Sequence, residues 1–246
     1  MDYDGLVDAL DANGRLIVDA IEMGDPTAAV PTCPDFTLDR LAFHIGEFSS
    51  FWTHVVCEAT SREKSTYPAD PGPTGRAEWV DELIGRLVSE LRRTAPDTSC
   101  WTWYEPDQSV AFVASRVCHE LAIHRVDVQL AARGSADPVS GPVAEAGIEE
   151  VFLLLQESGV DGKRGTPGNG QTLALHATDT TNADWFIHLD PKKPRVSRTH
   201  VPVDLTIRAS ASDLEMLLYQ RPTIGTVEWV GDRAVLDVFY GEFTFG

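Results

Sequence analysis

The hydrophobic pattern of this chain changes period once, at a single glycine-rich stretch. Up to about residue 157, apolar side chains recur every three or four positions; beyond residue 170 they alternate. Between the two lies "SGVDGKRGTPGNG" (158–170), rich in Gly and charge, which is the composition of a linker. A period of 3.6 and a period of 2 bury their apolar faces in different kinds of layer, so the chain must divide. The expectation is a helical domain over 1–158, a linker over 159–170 and a small α+β domain over 171–246.

In the first part, Leu6, Leu10, Leu16, Ile17 and Ile21 predict a helix over 3–23. "GDPTAAVPTCPDF" ends it with three prolines, and Thr37 is a suitable N-cap for a second helix over 38–60. Leu41, Phe48, Trp52 and Val55 share one face of that helix. "YPADPGPTG" is a second breaker, followed by a third helix over about 76–93 with Trp79, Leu83, Leu87 and Leu91 in register. "APDTSCWTWYEPD" leads into a fourth, over about 108–133, whose core stripe is Val110, Val113, Val117, Leu121 and Val128. Four such runs joined by short Pro-rich loops read as an antiparallel four-helix bundle. A further helix over about 143–157 follows. After the linker, "QTLALHAT", "ADWFIHLD" and "VPVDLTIRA" alternate like strands. "SASDLEMLLYQR" reads as a capped helix over about 212–220, and "GTVEWVGDRAVLDVF" as a hairpin turning at Gly231-Asp232.

The formal net charge of -18 excludes the clustered cations that nucleic-acid or anionic-membrane binding requires. No apolar run approaches the roughly 18 residues of a membrane span, and "MDYDGLVDAL" is acidic, unlike a signal peptide. A cytoplasmic location is expected. Cys33, Cys57, Cys100 and Cys118 are widely spaced, with no C-x-x-C pair to suggest a thiolate metal site or a disulfide framework.

Polar residues interrupt the apolar register at three places. Glu120 and His124 lie one turn apart, on or at the edge of the fourth helix's stripe. His44 sits between Leu41 and Phe48 in the second. Three potential ligands thus point into one bundle from two helices. A carboxylate and two neutral imidazoles are the donors of an open catalytic zinc site, in which a fourth position admits water or substrate. The competing reading pairs Glu120 with Arg116 or Arg125 and treats the histidines as hydrogen-bonded core residues; spacing alone leaves both open. His119, turned about 100° from Glu120, and His54, rotated off the face of His44, read as surface or rim residues.

"CPDFTLDRLAFHIGEFSSFW" (33–52) resembles the "CPDWTV..L..H" opening of the mycothiol-dependent maleylpyruvate isomerase family, and "HELAIHRVDVQLA" (119–131) resembles its "HE..VHR.D" segment. "LALHATDTTNADWFIHL" and "ASDLEMLLYQR" are similar to its smaller C-terminal domain. Phe36 stands where the family usually has Trp, and Val126 is a second departure; both keep an apolar residue. The resemblance implies a DinB-like metal-binding bundle followed by a small α/β domain of sterol-carrier-protein-like character. It places the family's zinc ligands on His44, Glu120 and His124. It also implies zinc or another divalent metal, with mycothiol, a low-molecular-weight thiol, as cosubstrate. The thiol would add to a small electrophile, in cis–trans isomerisation or in thiol transfer. An anionic substrate in so acidic a chain needs a local cation, for which Arg221 and Arg125 are the candidates; the plainer alternatives are a charge at a helix C-terminus for Arg221 and an ion pair with Asp127 for Arg125. Two other classes stay open, a water-activating metal-dependent hydrolase and a non-catalytic small-molecule binder. The fourth metal position is expected to face a cleft between the two domains.

Overall fold

A computed structural model describes residues 1–58, 68–157, 165–181 and 183–242. Positions 59–60 of the second expected helix and 158–164 of the expected linker lie outside the described residues. Two compact units are present, Met1–Asp137 and Pro138–Gly246.

The first unit contains α1 (Tyr3–Met23), α2 (Leu38–Glu58), α3 (Arg76–Arg93) and α4 (Val110–Arg133). Helix α1 packs against α4 and α3, and α2 against α3 and α4, which closes a ring of four. Three helices bury one stripe each. Helix α4 does not: its buried residues run round the whole cylinder, from Phe112 and Cys118 to His119, Ile123 and Gln129. Its ends are well specified. The Ser109 hydroxyl accepts from the Phe112 amide at 3.2 Å, and Gly134, at φ 72°, donates its N–H to Leu130.

The loops entering α2 and α4 are built alike. Each carries one antiparallel bridge that includes the residue just before the helix, Ala29 with Thr37 and Ser99 with Ser109. Leu38 N–H donates to Ala28 at 2.8 Å and Val110 N–H to Thr98 at 3.0 Å. The two helices that carry the site are therefore entered from loops pinned by backbone hydrogen bonds. Helices α2 and α3 approach closely at Gly46, where an added Cβ would lie 1.9 Å from Cζ3 of Trp79. The Trp79 ring is in turn stacked on Phe43 at 5.5 Å.

The second unit contains α5 (Gly141–Glu157), β1 (Gln171–Ala177), β2 (Asp184–Leu189), β3 (Arg195–Ser197), β4 (Leu205–Ala209), α6 (Ala211–Leu218), β5 (Glu228–Gly231) and α7 (Ala234–Glu242). The sheet order is β3-β2-β1-β4-β5, and only the central β1–β4 pair is parallel. Two expectations are corrected here. Helix α5 belongs with the sheet and not with the bundle, packing on α6 and β3; its Phe152 meets Trp185, and its Glu149 accepts from Trp185 Nε1 at 2.9 Å. The expected hairpin forms only its first strand. "AVLDVF" is helical, because Asp232 caps the Ala234 amide at 3.0 Å and Val235, Leu236 and Phe239 bury one helical face. Its β-branched apolar run had suggested a strand. Among the described residues, no helix is long and apolar enough to cross a membrane.

Replacing Gly46 with Ala is expected to destabilise the bundle by about 1–3 kcal/mol through overpacking against a stacked ring that has little room to yield. Thermal and urea unfolding of the variant would check this.

Candidate metal centre

The packing of α2 on α4 brings His44 beside His124, which in turn neighbours Glu120. The rings of His44 and His124 meet edge to face, with centroids 5.4 Å apart. Nε2 of His124 lies 3.3 Å from Oε2 of Glu120, the expected one-turn neighbour on α4. Phe36 and Phe48 flank His44 at 5.9 and 6.3 Å, so apolar rings bound the site on the α2 side.

Behind His124 stands Asp127, fully buried. Its Oδ2 lies 3.1 Å from His124 Nδ1, its Oδ1 accepts from the Thr32 hydroxyl at 2.5 Å, and the Cys33 thiol approaches Oδ2 at 3.9 Å. A carboxylate there assigns the proton of a neutral imidazole to Nδ1 and turns the Nε2 lone pair toward Glu120. Burial pushes the His44 imidazolium down to about 4, with the charges of His124 and Arg40 adding to the effect. His44 is therefore neutral at pH 7, the form that binds a metal.

Glu120 is shared. Its Oε1 is paired with Arg116, one turn earlier on α4, while its Oε2 faces His124. With the side chains so placed, no group of three or more His, Cys, Asp or Glu among the described residues is arranged as a metal cage. The donor chemistry nevertheless suits a divalent cation: two imidazoles, one kept neutral by burial and one oriented by a buried carboxylate, and a glutamate beside them. The feature at odds with it is the guanidinium on Glu120.

The remaining candidates fall elsewhere. Arg125 is 1% exposed, and its guanidinium donates to Asn13 Oδ1 and Gln129 Oε1 at 2.8 Å and to the Asp137 carbonyl at 2.9 Å. It joins α4 to α1 and to the segment after α4, which corrects its expected substrate-binding role. His119 is completely buried and not a rim residue, because α4 is covered almost all round. His54 stays near the surface beside Glu58, 3.6 Å away. Arg221 lies in the second unit, just past α6. Its N–H donates to Met216 and that of Gln220 to Leu217, with Gln220 at φ 58°, a Schellman ending; its Nη1 donates to the Tyr219 carbonyl at 2.7 Å. The four cysteines are thiols, and burial pushes that of Cys100 up to about 11. Sequence reasoning missed the role of Asp127. The available signal was its place three residues after His124, on the same helical face.

The profile of the mycothiol maleylpyruvate isomerase N-terminal domain matches residues 7–129, from within α1 almost to the end of α4. The chain belongs to that family. Two solved structures share the fold. One is the mycothiol-dependent maleylpyruvate isomerase, with TM-score 0.64, 11% identity and 93% of each chain covered. The other is a histidine-to-alanine variant described under the same name, with TM-score 0.61, 10% identity and 88% of each chain covered. At such identity the likeness is one of architecture. No curated protein sequence matches the chain.

The low value for His44 has a consequence for stability in the absence of added metal. An unfolded histidine titrates near 6.5, so between about 6.5 and about 4 the unfolded chain binds the proton that folded His44 refuses. Stability should fall as pH drops through that window. His44→Gln should flatten the fall, measured as the difference between variant and wild-type urea midpoints at pH 7 and 4.5.

Proposed function

We propose that this protein is a metal-dependent enzyme that activates a low-molecular-weight thiol and adds it to a small electrophile. Family membership supports mycothiol as the thiol. The observation that carries the reading is the placement of His44 and Glu120 beside His124, with Asp127 behind its ring. Zinc is the divalent cation that donors of this kind suit. When bound there, a divalent cation supplies the positive charge that lowers a thiol's pKa from near 8.5 and favours the nucleophilic anion.

The chain's own residues set the conditions. Burial keeps His44 unprotonated, so its nitrogen can bind a cation at neutral pH. Asp127, steadied by the Thr32 hydroxyl, holds the His124 ring with Nε2 toward the site. Glu120 supplies the negative charge, and Phe36 and Phe48 offer an apolar wall for a carbon skeleton. In the isomerase form of the reaction, the thiolate adds to the cis double bond of a substrate such as maleylpyruvate. The bond becomes single and rotates, and elimination of the thiol gives the trans isomer. In the transferase form the adduct is released. No protein cysteine is required as nucleophile. Four cysteines present as thiols accord with a cytoplasmic location. Arg221 remains the cation we propose for the carboxylate of an anionic substrate; Arg125 is withdrawn from that role by its burial among Asn13, Gln129 and Asp137.

Metal analysis combined with turnover of a panel of electrophiles, with and without mycothiol, tests the reading. His44→Ala and Glu120→Ala should lose metal and thiol-dependent turnover while far-UV circular dichroism stays near that of the parent. Asp127→Asn should bind metal about 10–100-fold more weakly, the usual effect of removing a carboxylate behind a ligand histidine. Equal turnover with and without mycothiol in fully metallated protein would overturn thiol activation and favour activated water.

A further inference from the structure

Arg116 is the residue on the ligand-bearing face of α4 that a metal site does not call for. It pairs with Glu120 Oε1, and the two side chains are only 15% and 19% exposed. Helical spacing alone accounts poorly for the pair, since Arg preceding Glu by four residues is the weaker of the two orders on a helix surface. The other side of Glu120 explains it better. Glu120 Oε2 lies 3.3 Å from Nε2 of His124, and the buried carboxylate of Asp127 stands 3.1 Å from the other nitrogen of that ring. Two carboxylates thus flank one imidazole in a partly desolvated place, and a cation is needed to offset their negative charge.

We propose that Arg116 is a latch on Glu120: in the metal-free protein its guanidinium holds the carboxylate, and a divalent cation must displace it to complete the site. Arg116 is thus a positioning residue that competes with the metal for one ligand. The inference rests on the metal-site reading above and adds to it a built-in cost of loading. The two states are alternative ways of compensating the same carboxylate. Removing the guanidinium strips compensation from the metal-free state only, so the metal-free fold should weaken while the metal binds more tightly. If Arg116 instead held Glu120 ready for the metal, its removal would weaken binding. If it acted only as a distant charge, affinity would rise with metal-free stability unchanged.

The experiment uses the full chain. Zinc is titrated in competition with a chromogenic chelator, and thermal unfolding is recorded with and without zinc, for the wild type, Arg116→Met, Arg116→Lys and His44→Ala. Arg116→Met should bind zinc about tenfold more tightly, the loss of a mostly buried ion pair being worth at least that factor. Its zinc-free Tm should fall, and the gap between zinc-free and zinc-loaded Tm should widen. Arg116→Lys keeps the charge but not the planar fork, so it should lie between wild type and Arg116→Met; it decides the matter if Arg116→Met does not fold. Unchanged or weaker zinc binding in the Arg116 variants, with His44→Ala losing zinc, overturns the latch and leaves the metal site standing. Tighter binding with an unchanged zinc-free Tm also overturns it. Zinc binding in His44→Ala equal to that of the wild type overturns the metal site itself, and the latch with it.

Discussion

The near-complete burial of α4, part-open mainly along the face of Arg116, Glu120 and His124, is the constraint from which the rest of the bundle follows. A helix so largely covered must satisfy most of its polar side chains inside the protein, because little water reaches them. Helix α4 meets this demand with two separate networks. One ties Arg125 to Asn13, Gln129 and Asp137, and so joins α4 to α1 and to the chain beyond its C-terminus. The other runs from Thr32 through Asp127 and His124 to Glu120 and Arg116. Neighbouring residues in sequence enter different networks because each step along the helix turns about 100°. His124 and Arg125 are adjacent, yet one orients toward chemistry and the other toward packing.

The second network depends on the loop before α2. Cys33 N–H donates to Val30, Phe36 N–H to Cys33 and Val30 N–H to Phe36, at 2.9 to 3.1 Å. These bonds fold "VPTCPDF" into a compact set of turns that delivers the Thr32 hydroxyl and the Cys33 thiol to Asp127. The same loop continues into α2, which carries His44. One short stretch therefore sets both the His44 side of the site and the orientation of His124. That gives a physical use to the segment whose wording first resembled the family.

The helical half was legible because it obeys local rules. The 3.6 period, the Thr37 and Ser109 caps and the proline breakers each act within a few residues. The three candidate ligands stood out for a related reason, as polar groups standing in apolar register. What was not legible depends on partners distant in sequence. The apolar face of α5 shows that it is covered but not by what, and it is covered by α6 and β3. Arg125 reads as a surface charge until Asn13, 112 positions away, is brought beside it. "AVLDVF" carries strand-like residues, and only the Asp232 cap and the burial of Phe239 decide for a helix. Asp127 was in plain view, but its role needs Thr32, which no spacing rule on α4 supplies.

Charge gives the site its remaining logic. The chain carries a formal net charge of -18, so its long-range field draws divalent cations in and turns small anions away. At physiological ionic strength that field is screened over about 8 Å, which leaves the outcome at the site to the groups immediately around it. There, the carboxylate of Glu120 pairs with the guanidinium of Arg116, that of Asp127 stands behind His124, and Arg40 is close enough to act on His44. Before a cation enters, these groups nearly balance. On the proposed function, a divalent cation would make the same set positive at one point, the condition under which both a thiolate and an anionic electrophile could be held together. A protein this acidic can work on an anion only if the positive charge is concentrated locally. One part-buried and one fully buried carboxylate, set against Arg116 and Arg40, are the groups whose balance a divalent ion would change.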